Sequence, residues 1–202
     1  WPVVEIKNTE FKDIRFIGDF KMNNLEIAND YEFLNSKFNG IFSCEKVETI
    51  GDYAFQTSVF NGSLNCQNLT SIGQYAFLYS KFTGACTLPL CETIGNNAFY
   101  SSKFTGNFNC PNLQTVDYGA FRTSKFTGNF NCPNVTLVGY NAFGNSVFNG
   151  SFNCPNLTTI ERFAFEQSQF TGTFNCPNVT LVDYDAFRDS NFTQITIGAN
   201  AT

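Results

Sequence analysis

The sequence predicts a repeat solenoid: a right-handed coil of 22-residue units with one parallel β-sheet face and short turns or helical segments opposite. Three observations predict it. A pattern that starts at Phe16 returns at Phe38, Phe60, Phe82, Phe104, Phe126, Phe148 and Phe170 with no insertion. Phe makes up 25 of the 202 residues, and three positions of the pattern hold 24 of them. Each unit also opens on apolar or small residues alternating with polar ones, the period of a half-buried strand. A unit this short cannot bury its own apolar face, so successive units must stack.

Residues 16 to 191 form eight complete units. Residues 1 to 15 read as a partial unit or cap in which Phe11 matches the late Phe of the pattern, and residues 192 to 202 as the start of a ninth unit. The array is expected to continue beyond Thr202.

Counting slots from the leading Phe, Phe104 to Cys110 (FTGNFNC) fill slots 1 to 7. Slots 1, 3, 5 and 7 are expected to face the core and slots 2, 4 and 6 the solvent. Pro111 and its counterparts at slot 8 lack an N–H for a ladder, so the strand should end there. Aliphatic pairs such as Leu113 with Val116 supply a second wall. Slots 14 to 18, as in Gly51 to Phe55, carry a near-constant Ala that suits a tight turn or short helical segment. The Phe columns at slots 1, 5 and 18 should become stacks of rings at the 4.5–7 Å spacing aromatic pairs favour. The composition is therefore architectural.

Net charge is −5 with no dense Lys/Arg cluster, which disfavours nucleic acid or an anionic membrane as partner. No apolar run approaches the ~20 residues of a bilayer span, so no membrane insertion is expected. With no His, Ser-His-Asp triads and His-containing zinc sites are excluded.

Six of the eight Cys fill slot 7: Cys44, Cys66, Cys110, Cys132, Cys154 and Cys176. Cys86 and Cys91 share one irregular unit. The favoured reading makes each a small buried hydrophobe. The alternative pairs neighbouring rungs, such as Cys44 with Cys66, whose spacing suits a disulfide although side chains in register on parallel strands point the same way. Ser at slot 21, from Ser36 to Ser190, has no base to activate it, so turn capping and backbone bonding are expected. Lys37, Lys81, Lys103 and Lys125 at slot 22 read as a solvated edge. Acidic residues at slots 14 to 16, among them Asp30, Asp52, Asp117, Glu161, Asp183 and Asp185, lack the spacing of a calcium loop, and neither a metal site nor a cofactor is expected. Asn-x-Ser/Thr sequons occur at Asn61, Asn68, Asn134, Asn149, Asn156, Asn178, Asn191 and Asn200.

The outer strand face is the candidate site for a partner. Its rows are Thr105/Asn107/Asn109, Thr127/Asn129/Asn131, Asn149/Ser151/Asn153 and Thr171/Thr173/Asn175. Charges and aromatics are nearly absent, so binding to proteins should be weak per site and depend on the number of repeats. Tyr31, Tyr53, Tyr75, Tyr118, Tyr140 and Tyr184 supply an aromatic edge elsewhere.

At A-F-x-x-S (Ala98 to Ser102), followed by the strand and C-P-N-L-x-x-I (Cys154 to Ile160), the sequence resembles the BspA-like, Treponema-pallidum-type leucine-rich repeats. The resemblance covers essentially the whole chain. It departs in a shorter period, in Phe at strand aliphatic positions and in Cys for the Ile before Pro. It implies a leucine-rich-repeat-like surface or secreted protein of bacteria or parasitic protists, of a kind often associated with adhesion to host proteins or other cells.

The leading expectation is thus a non-catalytic, adhesin-like array, extracellular or on the cell surface, with a protein or cell-surface ligand. A structural spacer for another domain is the second reading. The third is ice or glycan binding by the flat Thr/Asn/Ser grid. Exposed strand edges also leave room for edge-to-edge self-association.

Overall fold

The computed structural model describes residues 11–18, 20–21, 24–39, 42–199 and 201. The partial-unit reading of residues 1–10 and the sequon at Asn200 lie outside the described residues. What is described is a parallel β-solenoid whose coils stack with a 22-residue offset, as in Phe108 opposite Phe130 and Phe130 opposite Phe152.

Each coil contributes to three short parallel ladders rather than to one sheet face. The first joins slot 22 to slot 1, in strands such as Lys81–Phe82, Lys103–Phe104 and Lys125–Phe126. The second joins slots 5 and 6, in strands such as Phe108–Asn109, Phe130–Asn131 and Phe152–Asn153. The third, at slots 12 and 13, falls into two four-stranded sheets, one including Thr93–Ile94 and the other Thr115–Val116. The strand expected over slots 1 to 7 is therefore usually interrupted at slots 2 to 4. Among the described residues it runs unbroken in Gln169–Cys176 and in its partner Asn191–Ile197.

Glycine at slot 3 is required by close approach of the previous coil: a Cβ on Gly128 would lie 2.6 Å from the backbone nitrogen of Asn107. The ninth unit has no such Gly, and its register slips so that Ile195, one residue early, faces Phe174. Pro111 behaves as its missing N–H demands. The strand stops at Asn109, and a turn closes with the Leu113 N–H donating to the Cys110 carbonyl at 3.2 Å.

Opposite the strands the chain turns without helix among the described residues. Two residues per coil, at slots 16 and 20, adopt left-handed φ. Tyr53 and Thr57 are one such pair, at 57° and 58°, and Phe163 and Gln167 another, at 59° and 52°. Among the described residues sixteen non-glycine residues do so, and every one occupies slot 16 or slot 20. Such backbone costs on the order of 1 kcal/mol or more per residue, and it is held by a division of labour among the amides. N–H groups at slots 16, 18 and 20 donate to the next coil, as Tyr53 does to Gln74 (3.0 Å), Phe55 to Ala76 (2.8 Å) and Thr57 to Leu78 (2.7 Å). Those between stay within the coil, as Gln56 does with Tyr53 at 3.1 Å. A helix would keep all of them in the coil and leave the stacked turns unjoined.

The core is the three Phe columns with the Ala and aliphatic slots around them. Rings at slot 18 stack at 5.1–5.4 Å from Phe55 through Phe165, nearly parallel. Those at slot 1 stack at 4.5–4.7 Å from Phe60 to Phe170. Between columns the rings meet edge to face, as Phe130 does with Phe143 at 5.1 Å and 88°. Face-to-face offset stacking along the axis with edge contacts across it satisfies the ring quadrupoles in both directions.

Candidate functional site

The ladders place the predicted strand-face residues in axial rows. Asn109, Asn131, Asn153 and Asn175 are successive register partners. Asn109, Asn131 and Ser151 are half-buried between their neighbours; the other nine of the twelve candidates are exposed.

Much of the hydrogen-bonding capacity of these rows is turned inward. Asn107 Oδ1 accepts from the Asn129 backbone N–H at 2.8 Å, Asn129 Oδ1 from Ser151 N–H at 2.8 Å, and Ser151 Oγ from Thr173 N–H at 3.2 Å. Slot 4 thus supplies the acceptor that the interrupted ladder denies to the next coil's amide. Its polar residues are structural as well as exposed, which the sequence pattern does not distinguish. At slot 6, Asn131 Nδ2 donates to Asn109 Oδ1 at 2.8 Å. Slot 2 is the outermost row: Thr105, Thr127, Asn149 and Thr171 are all exposed.

Beside slot 2, on the same face of the first ladder, stand exposed lysines. Lys81 lies opposite Lys103, and Lys103 opposite Lys125. Sequence reading takes them as a solvated edge; their consecutive register needed the stacked coils to be seen.

The nucleophile-bearing residues lie inside. Ser80, Ser102, Ser124 and Ser168 donate their hydroxyls to the carbonyl three residues earlier at 2.5–2.8 Å. Ser36 and Ser58 bond instead to Phe11 and Phe33 of the preceding coil. Cys86, Cys91, Cys110, Cys132, Cys154 and Cys176 are buried free thiols. Burial pushes the Cys86, Cys132 and Cys154 thiols well up, and Cys176 to about 12. The Cys110 thiol rises through its hydrogen bond with Cys91 and through burial. Cys44 and Cys66 correct the favoured reading, because they are joined in a disulfide across a Cα separation of 5.1 Å. The physical reason is local: Phe42–Ser43 and Leu64–Asn65 belong to different sheets, so these two rungs are not held in the side-by-side orientation that opposes bonding elsewhere.

On the turn side the tyrosines form the expected edge in two stretches. Tyr31, Tyr53 and Tyr75 stack at 4.9 Å intervals, and Tyr118 stacks on Tyr140 at 5.5 Å. Phe163, which belongs to no core column, continues this edge. Arg162 lies 4.2 Å from the Phe163 ring centroid and 4.0 Å from that of Tyr184. Among the described residues no three His, Cys, Asp or Glu side chains converge as metal ligands, and no helix is long and apolar enough to cross a membrane.

The chain matches the family description "BspA type leucine rich repeat region", in six copies, over residues 2–105 and 92–202. Among curated proteins none matches it. It is similar to a solved structure described as the crystal structure of pneumococcal vaccine antigen PcpA, at 16% identity and a TM-score of 0.36. That similarity takes in 90% of this chain and 62% of the other.

Proposed function

Because the chain belongs to the BspA-type leucine-rich repeat family, we propose that it is a non-catalytic interaction module of the cell surface or extracellular space that binds proteins of a host or of other cells. The observation that carries this reading is the strand face, where exposed Thr, Asn and Ser side chains repeat in register from coil to coil. Such a face offers many equivalent weak contacts, and avidity grows with the number engaged. The Cys44–Cys66 disulfide supports an oxidising compartment. Buried Ser80, Ser102, Ser124 and Ser168, each bonded to a carbonyl, and the raised thiols of Cys86, Cys110, Cys132, Cys154 and Cys176 support a role without covalent chemistry.

The test is surface plasmon resonance of the immobilised chain against extracellular-matrix proteins and bacterial surfaces. Wild type is compared with Asn153→Tyr/Asn175→Tyr, which adds neutral bulk on exposed strand positions. A partner captured by wild type and lost by the variant is expected. No partner across the panel, or a partner held equally by the variant, would overturn the reading.

A further inference from the structure

The edge of the first ladder carries an arrangement that its own electrostatics disfavour. Lys81, Lys103 and Lys125 occupy three consecutive rungs and face each other in register. Rungs of a sheet lie about 4.8 Å apart, and like charges directly opposite one another destabilise a ladder. Nothing of opposite sign relieves them: among the described residues no carboxylate forms an ion pair with any of the three. Residues 53 to 160 contain only two acidic residues, Glu92 and Asp117. These flank the third ladder, next to Thr93–Ile94 and Thr115–Val116, away from the lysine edge. The same stretch holds Lys81, Lys103, Arg122 and Lys125. A chain of net charge −5 therefore concentrates uncompensated positive charge on the middle coils of one edge.

Two residues on from each lysine, just past the end of its strand, stand Thr83, Thr105 and Thr127, all exposed. The edge is thus a double file, ammonium groups beside hydroxyls, running along the solenoid axis. We propose that it binds a linear sulfated polysaccharide laid parallel to that axis, its sulfates on Lys81, Lys103 and Lys125 and its hydroxyls on the threonine file. This ligand goes beyond the protein partner proposed above: it shares Thr105 and Thr127 with that face and adds the lysine row. A nucleic acid fits less well, because the strand face has no aromatic ring on which a base could stack. A membrane surface fits less well, because no apolar anchor accompanies the charges.

The experiment uses the full chain with heparin as probe, and fully desulfated heparin, oligo-dT and phosphatidylserine vesicles as comparators. Wild type should bind heparin at about 0.15 M salt. Each Lys→Gln change should weaken binding roughly five-fold, the factor for one cation at an anionic surface, and Lys81→Gln/Lys103→Gln/Lys125→Gln about 100-fold. The triple variant should unfold at the same or a higher temperature, since a repulsion is removed. If it fails to fold, Lys103→Gln alone carries the test. Absence of heparin binding by wild type, unchanged binding by the folded lysine variants, or equal binding of desulfated heparin, oligo-dT or vesicles would overturn the proposal. Asn153→Tyr/Asn175→Tyr should leave heparin affinity within two-fold, so loss of protein capture and loss of polysaccharide binding report separately.

Discussion

Phe108 meets Phe121 edge to face, with ring centroids 4.9 Å apart and planes at 79°, while each ring also stacks on its counterpart one coil away. Phe121 further touches Phe99, Phe126 and Phe130. One ring therefore joins three columns and three coils.

Phe121→Ala should cost about 3–5 kcal/mol, because neighbours fixed by their own stacks cannot collapse into the space left. Denaturant titration measures it, and a loss below about 1 kcal/mol would place the ring outside the core. Phe163→Ala, on the outer edge, should cost far less.

The serine column allows a comparison within one slot. Ser124 Oγ donates to the Phe121 carbonyl at 2.5 Å, whereas Ser146 Oγ is buried with no partner. Ser124→Ala should cost about 0.5–1.5 kcal/mol, the net worth of a hydrogen bond. Ser146→Ala should be neutral or stabilising, since it removes an unpaired polar atom. Equal losses in thermal unfolding would contradict the assignment.

Alkylation of the denatured chain without reductant should add six labels rather than eight, since Cys44 and Cys66 are bonded. The raised thiols of Cys86, Cys110, Cys132, Cys154 and Cys176 also set a pH dependence. They ionise later in the folded state than in the unfolded one, so the unfolded chain loses protons first as pH rises. Their contribution to stability is complete below about pH 8.5 and declines as pH rises toward about 12, where Cys176 ionises. Urea midpoints between pH 7 and 11 that do not fall would count against buried thiols.

The coil and its core were legible because repetition makes each inference many times over: a Phe kept at slot 18 in nine places can only be a column. The strand face was legible from alternation alone. The left-handed pairs were not, because Tyr53, Thr57 and Tyr79 are residue types that avoid such backbone, and bonds to the next coil hold them there. Nor could alternation separate the inward task of Asn107 and Asn129 from simple exposure, since each serves an amide 22 residues along the chain.

By itself the sequence determined the 22-residue coil, the three aromatic columns and the polar strand face, all of which follow from which residues recur at which spacing. Tertiary structure decided which neighbours recurrence produces. It split one strand into two ladders, bonded Cys44 to Cys66 where the second of these is interrupted, and aligned Lys81, Lys103 and Lys125 as unrelieved like charges. The physical reason is the same in each case: pairing, bonding and repulsion depend on distances across coils, and stacking sets those distances.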